Sequence, residues 1–112
     1  MDIEVRSVGQ VKVVKLRGKL SLGDSVDRLR ADLYELIGNG ETRIVLDLSE
    51  VPMIDSSGIG LLVKSLTSAK QQGGSIRLLN PSKFIVQTLK MIGLLSLFEV
   101  FGEQQEAVDS FG

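Results

Sequence analysis

The sequence predicts one α/β domain over residues 1–112, a mixed β-sheet of four to five strands packed with about four helices. Three observations lead there. Short apolar runs such as Val11 to Leu16 and Ile44 to Leu48 alternate with segments whose apolar residues recur every three to four positions. Glycines or an Asn-Pro pair punctuate nearly every junction. The 112 residues are 43% hydrophobic, enough for one core and too few for two.

Ile3 and Val5, then Val11, Val13, Val14 and Leu16, read as two strands joined at a Gly9-Gln10 hairpin turn. Gly18 ends the second strand. Lys19 to Gly23 form a loop, after which Asp24 or Ser25 is expected to cap a helix. Val26, Leu29, Leu33, Leu36 and Ile37 give that helix its apolar face, and Gly38-Asn39-Gly40 stops it. Ile44 to Leu48 is nearly all apolar, the pattern of a central strand covered on both faces.

A second helix is expected to bury Ile59, Leu62, Val63 and Leu66 while Lys64, Ser65, Ser68 and Lys70 face away. Gly73-Gly74 ends it, Ile76 to Leu79 forms a short strand, and Asn80-Pro81 turns the chain. Ser82 can cap a third helix with Phe84, Ile85, Leu89 and Ile92 on one face, stopped at Gly93. Phe98 to Val100 suggests a last short strand. Glu103 to Ser110 suggests a terminal helix with Ala107 and Val108 inward.

Composition excludes several functions. The net charge is −1 with no basic run in the sequence, which argues against docking on nucleic acid or on a membrane through clustered cations. The absence of cysteine removes disulfides and thiolate metal sites. The absence of histidine removes a Ser-His-Asp triad, a His base and His-ligated metals. The N-terminus lacks the layout of a signal peptide and no apolar stretch is long enough to span a bilayer, so a soluble cytoplasmic protein is expected. No cofactor, metal or catalytic residue is expected.

The most informative stretch is Ile54-Asp55-Ser56-Ser57-Gly58-Ile59-Gly60, between a strand and a helix. A first helical turn has unpaired N–H groups and partial positive charge. A serine there can cap the helix or carry a phosphate where one is tolerated. Asp55 is the better cap, with Ile54 and Ile59 at the hydrophobic-staple positions. Gly58 and Gly60 each cost up to about 1 kcal/mol relative to Ala in a helix. Two readings explain them: close packing on the sheet, or exposure of the serine hydroxyls to an approaching protein. A dinucleotide fingerprint fails because Val63 holds its third glycine position, and no phosphate-loop string or nucleophile elbow exists. Ser21 and Asp24, on the loop after the second strand, contact a partner only if that loop lies beside Ser56 in space.

The run IVLDLSEVPMIDSSGIGLLV from Ile44 to Val63 resembles the signature of the STAS domain, and in particular that of the bacterial anti-sigma factor antagonists. The likeness extends to the Gly18-Lys19-Leu20 turn, to Gly73-Gly74 before Ile76 to Leu79, and to Phe84 through Leu95. It implies a single STAS-like domain that is a binding module and no enzyme. It implies that the unphosphorylated form binds an anti-sigma factor with serine-kinase activity and frees a sigma factor. Phosphorylation of Ser56 ends that binding, and a PP2C-type serine phosphatase resets it. ATP and Mg²⁺ would then belong to the kinase. Asp55, Ser57 and Gly58 match the family's flanking positions. Ser21 departs from the family, which commonly has Asp after this turn; the nearby acid is Asp24. The alternative is a constitutive STAS scaffold subunit of a signalling or transport complex, with Ser56 never modified.

Overall fold

The computed structural model describes Met1 to Gly112 throughout. Its strands are β1 (Asp2–Val8), β2 (Val11–Arg17), β3 (Arg43–Glu50), β4 (Ser75–Leu79) and β5 (Val100–Phe101), and its helices are α1 (Asp24–Gly38), α2 (Ser56–Gln71), α3 (Lys83–Met91) and α4 (Gln104–Asp109). The five strands lie in the sheet in chain order. β1 and β2 form an antiparallel hairpin whose turn contains Gly9 at φ 59°. All later pairings are parallel. Each parallel step needs a crossover, which α1, α2 and α3 supply in turn.

Strand alternation sorts the core into two layers. Val14, Leu16, Ile44, Leu46, Ile76 and Leu78 share one face with Leu29 and Leu33 of α1, Leu62 and Leu66 of α2, and Ile85 and Leu89 of α3. Val11, Val13, Val45 and Leu79 point the other way and are closed over by Ala107 of α4. β3 is central and buried on both faces from Ile44 to Leu48, which explains its unbroken apolar run.

Several expectations are corrected. Neither Asp24 nor Ser25 caps α1; Gly23, at φ 115°, occupies the cap position without a side-chain bond. The chain turns at this glycine, so Asp24 is already helical and its charge lies in the positive first turn. Ser25 turns back on the loop instead, its hydroxyl accepting from Ser21 N–H at 3.0 Å and donating to Ser21 C=O at 2.9 Å. In α2, Ser65 is fully buried rather than outward, and Val63 is only half-buried. In α3 only Ile85 and Leu89 face inward. Phe84 and Ile92 are 52% exposed, because one residue's rotation from Ile85 carries Phe84 off the core and Ile92 follows the helix end. The last strand begins at Val100, after a 3-10 turn at Leu95–Leu97, while Phe98 is buried in the core.

Candidate functional site

The site lies at the carboxyl ends of β2 and β3, where open α/β sheets commonly bind ligands. The two loops leaving these strands are tied by backbone bonds. Leu20 N–H donates to Met53 C=O and Asp55 N–H donates to Leu20 C=O, both at 3.1 Å. Leu20 and Ile54 thereby form a parallel bridge. The loop of Ser21 and Asp24 therefore does lie beside the Ser56 junction.

Asp55 caps α2 with an extended backbone, as its sequence position suggested. One carboxylate oxygen accepts from Gly58 N–H at 3.0 Å; the other accepts from Leu22 N–H, across the loops, at 2.8 Å. These two bonds, the Leu22 amide first, hold the carboxyl below its ordinary pKa of 3.8. The carboxylate is thus committed to structure on both oxygens.

Ser56 is the first residue of α2 and is exposed, and no protein group hydrogen-bonds to its hydroxyl. Ser57 is half-buried. The structure separates the two glycines that the sequence left together. A Cβ on Gly58 would sit 2.7 Å from Ile54 Cγ1, 2.9 Å from Leu20 Cγ and 3.0 Å from Leu20 C=O, so Gly58 is there for close packing. A Cβ on Gly60 would meet nothing within 4 Å. Gly60 instead forms part of a groove of about 550 Å³ between α2 and the end of α3. Ile54, Ile59, Val63, Ile92 and Leu94 supply its apolar lining, and Ser56 and Lys64 also border it.

Ser21 is half-buried and held by Ser25, while Asp24 is exposed and makes no ion pair or hydrogen bond. Sequence reasoning missed Leu22, whose side chain is 79% exposed beside the junction, and the groove residues Ile92 and Leu94. Leu22 gave one signal, a large apolar residue in a glycine-flanked loop. The groove gave none, since it joins residues far apart in the chain. No group of three or more His, Cys, Asp or Glu side chains gathers anywhere, and no helix is long and apolar enough to cross a membrane.

The STAS domain profile matches residues 2–107. The chain belongs to the STAS domain family. It is 29% identical over 108 residues to the anti-sigma-B factor antagonist of Bacillus subtilis, covering 96% of this chain and 88% of that one. It is 27% identical over 109 residues to the anti-sigma F factor antagonist of Paenibacillus polymyxa, covering 96% and 92%. The Bacillus cell fate determinant SpoIIAA, solved in its phosphorylated form, superposes with a TM-score of 0.78 at 26% identity over 97% of this chain and 98% of that one.

Proposed function

We propose that this STAS domain is an anti-sigma factor antagonist switched by phosphorylation of Ser56. In the unmodified state it binds an anti-sigma factor that is also a serine kinase, and so frees a sigma factor. A PP2C-type serine phosphatase restores the unmodified state. The protein itself performs no chemistry; ATP and Mg²⁺ belong to the kinase.

One observation carries this reading. Ser56 is exposed and unbonded while its neighbours do the structural work, Asp55 as cap and Gly58 as packing contact. A phosphate adds about −1.5 to −2 charges at pH 7. At the start of α2 that charge meets the positive end of the helix, so the fold tolerates it. The switch then acts at the partner surface. A thousandfold loss of affinity requires about 4 kcal/mol, within reach of a dianion forced into an interface shaped for a neutral hydroxyl. Ser57, Gly58, the loop from Ser21, and Asp24 at the start of α1 border that surface.

The test is incubation of the chain with the kinase that co-purifies with it and ATP, followed by mass spectrometry of the labelled peptide. Phosphate on Ser56, absent from Ser56→Ala, supports the assignment; label persisting on Ser56→Ala refutes it. Ser56→Asp is expected to keep the native circular dichroism and lose the partner. A stable complex indifferent to kinase and phosphatase would instead mark a constitutive scaffold.

A further inference from the structure

The net charge of −1 conceals an uneven distribution of acids along the chain. From Ser56 to Phe98 there is no Asp or Glu; all fourteen acids lie outside that segment. The segment contains both α2 and α3 and carries Lys64, Lys70, Lys83 and Lys90, all exposed and none in an ion pair. Its remaining cation, Arg77, is different: Glu99 holds it at 2.8 Å, and it lies 4.3 Å from the ring centre of Phe111. The lysine-bearing helices also expose apolar surface at Phe84 and, around the end of α3, at Met91, Ile92 and Leu97. The groove between them passes Gly60, where no side chain blocks entry.

We infer that the α2–α3 face is a docking surface for a protein segment that pairs an apolar ridge with carboxylates. The groove takes the ridge. Lys64, at its edge, takes the carboxylates. A cationic partner would meet unpaired lysines and no acid on these helices, so charge complementarity selects an acidic one. The lining is concave, and the side chains of a protein ridge fill a concavity that a flat lipid surface bridges. Where this inference rests on the switch reading of Ser56, it adds the sign of the switch. Phosphate on Ser56 places a dianion on the rim of the groove that the carboxylate-bearing segment approaches, and the like charges repel.

The experiment uses the full ¹⁵N-labelled chain and two synthetic amphipathic helical peptides. Both carry the same Leu ridge; one is flanked by Glu and the other by Lys. Amide shifts at Ile59, Gly60, Val63, Ile92 and Leu94 are expected to respond to the Glu peptide. The Lys peptide is expected to bind at least about tenfold more weakly, and Lys64→Glu to remove that preference. Gly60→Leu is expected to fill the groove and abolish both. Equal binding of the two peptides, no binding of either, or shifts confined to another face would overturn the proposal. So would displacement of the Glu peptide by phosphatidylglycerol vesicles, which would make the face a membrane contact. Phosphoserine installed at position 56 by semisynthesis is expected to weaken the Glu peptide; unchanged affinity would overturn the charge mechanism. None of these arms needs a kinase, so their failure is separate from failure of Ser56 phosphorylation.

Discussion

Leu22 and Asp55 are 33 residues apart in the chain and joined by one 2.8 Å bond, from the Leu22 amide to the Asp55 carboxylate. That carboxylate also caps α2 through Gly58, so one side chain sets both the helix start and the position of the neighbouring loop. Asp55→Asn separates the two roles. The amide oxygen of Asn can still cap Gly58, but its NH₂ faces the Leu22 N–H and cannot accept from it. Faster amide hydrogen exchange is expected at Leu22 with Gly58 still protected. Equal protection at both in the variant would contradict the tie.

Acid stability follows from two carboxyls. Asp55 is held below 3.8 by the Leu22 and Gly58 amides. Glu50 is held below 4.5 by Lys15 at 3.1 Å, then by Arg17 at 3.2 Å. Both folded values are depressed, so the unfolded chain binds more protons in this range. Their stabilisation is complete above the unfolded values and is lost as pH falls through the folded ones. Melting temperature is therefore expected to drop between about pH 5 and pH 2, less steeply in Asp55→Asn and Glu50→Gln. The Glu50 pairs are surface contacts, so added salt is expected to shrink the Glu50→Gln effect more than that of Asp55→Asn.

The two helix glycines are expected to respond oppositely to alanine. Gly58→Ala forces Ile54 and Leu20 apart and is expected to destabilise by about 1–3 kcal/mol in urea unfolding. Gly60→Ala enters open space in a helix and is expected to stabilise by about 0.5–1 kcal/mol. The same sign for both would refute the division between packing and groove.

Ser65 is fully buried and its hydroxyl has no partner. Ser65→Ala removes a desolvated polar atom and is expected to raise unfolding free energy by about 1 kcal/mol. A loss of that size would instead reveal a bond made by the hydroxyl in solution.

Arg77 ties the C-terminus to β4. Besides Glu99 and Phe111, it bonds the Ser110 hydroxyl at 3.0 Å. Arg77→Leu is expected to leave the sheet intact and loosen α4, read as faster exchange at Ala107 and Val108 and earlier proteolytic trimming after Asp109. Unchanged exchange there would show that Ala107 packing alone holds the helix.

The sequence by itself determined the order of strands and helices, the central place of Ile44 to Leu48 and the cap at Asp55. Each depends on local patterning: apolar periodicity, unbroken apolar runs, and an acceptor side chain at a helix start. It also determined that histidine and cysteine chemistry is absent. It did not determine that Ser65 points inward, that Gly58 packs while Gly60 stays open, or that Leu22 and Leu94 reach the neighbourhood of Ser56. Periodicity reports the angle of a residue around its own helix, but not how close the next element comes. Those distances were decided when parallel pairing brought the ends of β2 and β3 together and α2 and α3 settled on one face of the sheet.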